Sequence, residues 1–416
     1  MPPEPKGQDA PRSPRNELIL TMIISVLVAC AALGGFAIGR YRADTLLQRI
    51  SEQATPDQSQ TLLSAGMKPI SMREAMGPNV KNTEFLRLLQ GTYGLQGLDQ
   101  ASFVDVLGKI VWVPPYQPAP FVGHMARPFV SENLRINAFG FRDERDDYTQ
   151  KPPGTVRIFL TGGSTAWGVG ASSDQKTIAR QLERLLNEQK GAATGRRYEV
   201  INASFPGWST TQEKILIEQR LIDLQPDAIL MFSGTNDVFW SMSGRDLRWF
   251  FTYMDQNFVA MLNEIYKSSQ HPESVVSFPM ADHPVECSEV SKLMARNVEM
   301  AAAAAQRTHA RLIFALPPTI LSTAKALTRR EGELRKNAQN EAYWTSCYQA
   351  IRDSLSAIAA KNYRFIDVSR AFGELDAATE VFLDPSHFSD NGSKAIAQTL
   401  FDQIDWAALG QAASRQ

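Results

Sequence analysis

Residues 156–168 read VRIFLTGGSTAWG and give the first indication of the fold class. Residues 156–160 form an apolar run of strand length, and the glycines after it indicate a tight turn. Further runs of this kind occur at 198–202, 228–232, 312–316 and 363–368. Stretches with helical periodicity separate or follow them, at 177–188, 210–223, 291–308, 341–360 and 392–404. This alternation predicts an α/β fold, a flavodoxin-like three-layer sandwich around a five-stranded parallel sheet.

Small polar residues follow the first three predicted strands. They read TGGST at 161–165, ASFPG at 203–207 and SGTND at 233–237. Because such sheets bind ligands beyond the carboxyl ends of their strands, we expect these segments to line one crevice. Asp384 and His387 lie three positions apart, a spacing that lets a carboxylate fix the tautomer of an imidazole. The pattern favours a nucleophile with backbone N–H donors and a histidine beside it.

These four segments together resemble the sequence blocks of the SGNH, or GDSL-type, hydrolase superfamily. Residues 162–168, GGSTAWG, are similar to the Gly-Asp-Ser-x-x-x-Gly turn of that family. Residues 234–237, GTND, are similar to its Gly-x-Asn-Asp block, and Asp384 and His387 to its Asp-x-x-His block. The resemblance extends over about residues 156–400, and its blocks come in the order that the family has.

The resemblance implies acyl transfer by a Ser-His-Asp triad. Ser164 would be the nucleophile, His387 would remove its proton, and Asp384 would orient and stabilise the imidazolium. The N–H groups of Ser164 and Gly207 and the side-chain amide of Asn236 would form the oxyanion hole. The resemblance implies no cofactor, and the sequence suggests no metal site.

The chain departs from the family signature at two positions, where Gly163 and Thr165 replace an aspartate and a leucine. Neither replacement removes a triad member or an oxyanion donor, so we interpret it as variation within the superfamily. Gly163 and Gly234 are expected to support the turns of the site, and Asp237 to anchor the turn that follows the third strand.

Residues 18–39 form a run of 22 residues without a charge, long enough for a transmembrane helix. The chain is therefore divided into a disordered tail at 1–16, a transmembrane helix at 17–40, a stalk and accessory segment at 41–150, and a hydrolase domain at 151–408 with an insertion at about 238–290. A cleaved signal peptide and lipidation at Cys30 are the alternatives for the apolar run. We expect a bacterial, single-pass membrane protein with a periplasmic or extracytoplasmic domain, although the flanking charges do not orient the helix.

The charge balance excludes one broad class of partner. Lys plus Arg number 43 and Asp plus Glu number 44, which gives a formal net charge of -1. Without a global positive field, binding to nucleic acid is not expected.

Two further groups of residues are candidates for roles near the site. Trp167, Phe239 and Trp240 are candidates for a substrate wall, with core packing as the alternative. Cys287 and Cys347 are candidates for a disulfide if the domain lies outside the cytoplasm.

The sequence thus predicts a serine esterase that hydrolyses O-acyl esters. The favoured substrate is the O-acetyl group of an envelope or exported polysaccharide. The carbohydrate substrate follows from the membrane anchor and from the substrates of similar proteins. One alternative is an O-acetyltransferase with the same triad, supplied by a membrane acyltransferase partner. Another is a non-catalytic assembly protein with the same fold.

Overall fold

The computed structural model describes residues 68–248, 250, 252, 281–406 and 408–409, which all belong to one compact unit. The predicted tail at 1–16, the predicted transmembrane helix at 17–40 and part of the predicted insertion lie outside these residues. Within the described ranges, no helix is both long enough and apolar enough to cross a bilayer.

Residues 70–113 form a small helical layer, which we call the N-terminal layer. Its elements are β1 Ile70–Ser71, α1 Met72–Met76, a 3₁₀ turn Gly77–Lys81, α2 Thr83–Tyr93, α3 Gln100–Lys109 and β2 Val111–Val113. Side-chain caps start the three helices, at Ser71, Asn82 and Asp99. Strand β1 pairs antiparallel with β2, and the apolar side chains of the layer form a hydrophobic cluster separate from the main core.

Two short hairpins connect this layer to the central sheet. They consist of β3 Tyr116–Ala119, β4 Gly123–Ala126, β5 Phe129–Val130 and β6 Arg135–Ile136. Leu134, Phe141 and Tyr148 from this region are buried in the same hydrophobic core as the sheet. Residues on both sides of position 150 therefore contribute to one core.

The central sheet has five parallel strands. They are β7 Thr155–Gly162, β8 Arg197–Asn202, β9 Ala228–Phe232, β10 Arg311–Leu316 and β11 Tyr363–Asp367. Their order across the sheet is β11-β10-β9-β7-β8. This is the flavodoxin-like order, in which the ligand crevice lies where the strand order reverses, between β7 and β9. The prediction of an α/β fold with a five-stranded parallel sheet is confirmed.

Helices flank the sheet in two groups. They are α4 Ser164–Trp167, α5 Ile178–Leu185, α6 Ala192–Thr194, α7 Thr210–Gln219, α8 Thr235–Met242, α9 Cys287–Gln306, α10 Arg329–Asn337, α11 Glu341–Ser356 and α12 Asp390–Gln403. Helix α9 packs against α7 and α11, whereas α12 packs against α5. The helix predicted at 177–188 starts later, because Thr177 is its N-cap, and it changes at Leu186–Gly191 into a π-helical turn.

Candidate active site

Ser164 begins α4 immediately beyond the end of β7. The connection is a tight turn in which Gly162 has φ of 151°. A Cβ on Gly162 would overlap the carbonyl oxygen of Phe232 on the neighbouring strand, so both the backbone angle and the close approach require glycine. The turn presents Ser164, which is 9% exposed, to a cavity of about 400 Å³.

Asp384 and His387 meet in the loop before α12 and line the same cavity as Ser164. The Nδ1 atom of His387 lies 2.6 Å from Oδ2 of Asp384. The other carboxylate oxygen accepts the backbone N–H groups of Ser386 and His387, at 2.8 Å each. Burial raises the pKa of Asp384, but the charge and hydrogen bonds of His387 outweigh burial and lower the pKa to about 2. Asp384 is therefore a carboxylate at neutral pH and holds Nδ1 of His387 as a donor.

The second nitrogen of His387 is available for chemistry. Its Nε2 atom is buried and has no hydrogen-bond partner among the described residues. The structure brings Ser164 and His387 to one cavity without a hydrogen bond between them, and such bonds commonly tighten only when substrate is bound.

Arg142 holds the far end of helix α4, which begins at Ser164. Its guanidinium donates to the carbonyl oxygens of Trp167 and Gly168, at 3.1 and 3.0 Å, where α4 ends. It also pairs with Asp174 at 2.7 Å and lies 4.3 Å from the centre of the Trp167 ring. A cation at a helix C-terminus stabilises its free carbonyl groups, so Arg142 fixes the helix that begins at Ser164. Sequence reasoning missed this residue, because no motif marks it.

Asn236 lies in the first turn of α8 and lines the cavity beside Ser164. Its Nδ2 donates to the Trp208 carbonyl oxygen at 2.7 Å, which leaves the second amide proton for a ligand. The loop of Gly207 adjoins the turn between β7 and α4, since the N–H of Phe205 bonds to the Gly162 oxygen at 3.0 Å. Gly207 itself is not among the described residues that line the cavity.

The departure from the family signature at Gly163 has a structural reason. A Cβ at this position would overlap Nδ2 of Asn236 and lie 3.1 Å from the Trp208 oxygen. Glycine therefore allows the amide of Asn236 to approach the turn between β7 and α4. Gly234, with φ of 119°, starts the helix that carries that amide.

Two buried carboxyl groups, those of Asp237 and Glu213, join the segments around the site by hydrogen bonds. Asp237 accepts hydrogen bonds from the backbone N–H and the hydroxyl of Thr210, and burial raises its pKa to about 6. Glu213 on α7 accepts hydrogen bonds from Thr161 on β7 and Ser233 after β9. Burial raises the pKa of Glu213 to about 8, so this group is mostly protonated at neutral pH. Asp237 joins α8 to α7, whereas Glu213 joins the ends of two strands.

Of the three residues predicted to form a substrate wall, Trp167 and Trp240 do not line the cavity. Trp167 is fully buried beneath Arg142, and Trp240 is 2% exposed and donates to the Gly207 oxygen at 3.0 Å. Both are held in the protein interior by these contacts. Phe239 is 42% exposed and does line the cavity, together with Trp344, which sequence reasoning missed.

A disulfide joins Cys287 at the start of α9 to Cys347 on α11, with 4.7 Å between their Cα atoms. Trp344 lies one helical turn before Cys347, and Tyr343 donates to the Val285 oxygen at 2.6 Å. The bridge therefore fixes the helix that supplies one wall of the cavity. Within the described ranges, no group of three or more His, Cys, Asp or Glu residues is arranged to hold a metal ion.

The chain belongs to the GDSL-like lipase/acylhydrolase family, whose model matches residues 160–395. It is an ester hydrolase of the SGNH, or GDSL, type. A search of curated proteins finds no match.

Several solved structures are similar to this one. The acetyl xylan esterase AlAXEase is 14% identical, with 60% of this chain and 100% of that chain covered and a TM-score of 0.35. The lipase Lip_vut3 from a goat rumen metagenome is 15% identical over 61% of this chain and 97% of its own, with a TM-score of 0.39. Axe2, an acetylxylan esterase from Geobacillus stearothermophilus, is 15% identical over 60% of this chain and 94% of its own, with a TM-score of 0.36.

Proposed function

We propose that this chain is a serine esterase in which Ser164, His387 and Asp384 form the catalytic triad. One observation carries the proposal. The Nδ1 atom of His387 is held 2.6 Å from the Asp384 carboxylate, while Nε2 has no partner among the described residues. The ring lines the same cavity as the Ser164 side chain. A histidine held in this way has one nitrogen free to act as a base.

The reaction would proceed through an acyl-enzyme. Oγ of Ser164 attacks the ester carbonyl as its proton passes to Nε2 of His387. The resulting oxyanion accepts hydrogen bonds from the free amide proton of Asn236 and from backbone N–H groups of the turn between β7 and α4. The imidazolium, stabilised by Asp384, then protonates the leaving alcohol. Water, activated by the same histidine, releases the acid and restores the serine.

For the substrate, we propose O-acetyl esters of an envelope or exported polysaccharide. The cavity lining combines the rings of Phe239 and Trp344 with the side-chain amides of Asn337 and Gln339. Aromatic rings suit the C–H faces of a sugar, and amides both donate to and accept from sugar hydroxyls. This combination supports a carbohydrate ester.

We also propose that the protein is anchored in a bacterial membrane with its catalytic domain outside the cytoplasm. The uncharged run at 18–39 has the length of a spanning helix. The disulfide between Cys287 and Cys347 supports an oxidising compartment for the domain, since disulfides persist mainly there.

The test is acetate release by the full-length protein from p-nitrophenyl acetate and from an O-acetylated polysaccharide. We expect steady turnover that Ser164→Ala abolishes. The matched control is Ser288→Ala, which alters an exposed serine on α9 and should keep full activity. A burst of one equivalent, followed by turnover only after an acceptor sugar is added, would establish the O-acetyltransferase instead. Absence of any Ser164-dependent release would leave the assembly protein.

A further inference from the structure

The loop that carries the catalytic pair is held from two sides. We call residues 380–388 the Asp–His loop. On one side, α10 of the hydrolase domain holds it: Glu331 accepts the Val381 N–H at 2.8 Å, and Arg330 donates to the carbonyl oxygen of Leu383 at 3.2 Å. On the other side lies the N-terminal layer, which the family match at 160–395 does not include.

Leu383 anchors the Asp–His loop in the N-terminal layer. It directly precedes Asp384 and is 8% exposed. Among the described residues of the Asp–His loop, Leu383 alone is a buried member of the apolar cluster in the N-terminal layer. The other buried members are Met72, Leu86, Leu89, Phe103, Leu107 and Ile110. The N–H of Leu383 also donates to the carbonyl oxygen of His387 at 2.8 Å, which closes the loop. A shift of Leu383 would therefore displace both Asp384 and His387.

Trp112 of β2 contacts the catalytic ring itself. Its ring lies edge-on to the imidazole of His387, with 5.1 Å between ring centres and 68° between ring planes. It belongs to the layer, and it is not among the described residues that line the cavity. Any influence of Trp112 on the reaction therefore passes through His387 and not through contact with substrate.

Without the contact to Trp112, the orientation of the His387 imidazole would depend on one hydrogen bond. Only its Nδ1 has a hydrogen-bond partner among the described residues, and one hydrogen bond leaves the ring free to tilt about that bond. The packing of Trp112 opposes this tilt and so limits the positions that Nε2 can take. Gly170 provides the room for this arrangement, because a Cβ there would overlap Leu383 and lie 3.3 Å from the Trp112 ring.

Two polar contacts join the N-terminal layer to the hydrolase domain, one at the Asp–His loop and one at Gly170. The hydroxyl of Thr92 donates to the carboxylate of Glu380 at the start of the Asp–His loop, and the hydroxyl of Tyr93 donates to the Gly170 oxygen at 2.7 Å. Both donors lie at the end of α2. The layer thus contacts the loop at Glu380, Leu383 and His387.

We propose that the N-terminal layer is a positioning element of the active site, in which the cluster around Leu383 fixes the Asp–His loop and Trp112 sets the ring of His387. The inference rests on the proposed function, since it takes His387 as the base. Trp112 and Leu383 are positioning residues, because neither touches the reacting atoms.

The test measures kcat and KM of the full-length protein with p-nitrophenyl acetate. Misplacement of a catalytic group by about 1 Å costs on the order of 100-fold, so Trp112→Ala should lower kcat between about 10- and 100-fold with KM little changed. Trp112→Phe keeps a ring edge against His387 and should recover most of the loss. Turnover by Trp112→Ala at the wild-type rate, or a Phe variant as slow as the Ala variant, would overturn the role of Trp112.

A matched pair of leucines separates positioning from general stability. Leu383→Ala and Leu107→Ala remove the same group from the same cluster, but only Leu383 belongs to the Asp–His loop. We expect similar losses of thermal stability, with a large loss of kcat only for Leu383→Ala. Equal losses of kcat in the two variants would reduce the layer to a structural support and overturn the proposal.

Hydrogen exchange provides a measurement that does not depend on turnover. Backbone amides of the Asp–His loop should exchange faster in Leu383→Ala than in Leu107→Ala, and unchanged exchange would contradict the clamping of the loop. If the wild-type protein shows no Ser164-dependent turnover, the proposed function fails. The exchange experiment still decides whether the layer holds the loop.

Discussion

Gly163→Ala adds one methyl group where the turn before Ser164 approaches the amide of Asn236. Gly163 has φ of -85° and ψ of -152°, an extended conformation that alanine also adopts, so the backbone itself tolerates the change. The added Cβ would overlap Nδ2 of Asn236 and lie 3.1 Å from the Trp208 carbonyl oxygen. The side-chain amide must therefore move, and its hydrogen bond to the Trp208 oxygen must lengthen or break.

The expected magnitude follows from the proposed role of Asn236 as an oxyanion donor. Loss of one such donor lowers kcat by about 100- to 1000-fold, or about 2.7–4 kcal/mol. A displacement on the order of 1 Å is sufficient to misalign a group at the reacting centre. We therefore expect Gly163→Ala to lower kcat about 100-fold, with little change in KM, because the lost interaction belongs to the transition state.

The assay is p-nitrophenyl acetate hydrolysis by Gly163→Ala, by Asn236→Ala and by the double variant. Once the amide is gone, the Trp208 oxygen at 3.1 Å is the remaining close neighbour of the methyl group, so the double variant should lie close to Asn236→Ala. Gly332→Ala is the control, since a Cβ at Gly332 has no neighbour within 4 Å. Wild-type kcat in Gly163→Ala, or losses that add in the double variant, would show that Gly163 does not act through the amide of Asn236.

Three further predictions concern stability. Burial raises the pKa of Glu213 from its ordinary value of 4.5 to about 8, so between these pH values the folded state keeps a proton that the unfolded chain has lost. Stability should therefore fall as the pH rises through this range, and urea unfolding of Glu213→Gln should show a flatter dependence on pH. Replacement of Cys287 and Cys347 by serine opens a link across a sequence separation of 60, and urea unfolding should show a loss of about 2–4 kcal/mol. Arg142→Met leaves Asp174 and two helix-end carbonyls without their cation, which should cost about 3 kcal/mol in urea unfolding and also lower kcat.

The sheet could be predicted because its strands are short apolar runs between turn residues. Strand β9 has the predicted bounds, 228–232, and β7, β8, β10 and β11 differ from the predicted runs only at their ends. Buried parallel strands are apolar on both faces, so their signal does not depend on alternation. The order of the strands then brings Ser164 and Asn236 to one edge.

The surroundings of the site could not be predicted in the same way. Trp112 and Leu383 are far apart in the sequence, and nothing in either segment indicates that they meet beside His387. Trp167 and Phe239 both read as aromatic residues next to a motif, yet one is buried and the other is 42% exposed. Only tertiary packing decides which aromatic ring faces the cavity.

Ser164 is proposed to be a nucleophile that His387 activates. The most direct test is reaction of the full-length protein with a fluorophosphonate, followed by intact mass measurement and peptide mapping. We predict one adduct per chain on Ser164, formed at least about 100-fold more slowly in His387→Ala. An adduct on another residue, no adduct, or equal rates with and without His387 would contradict the account.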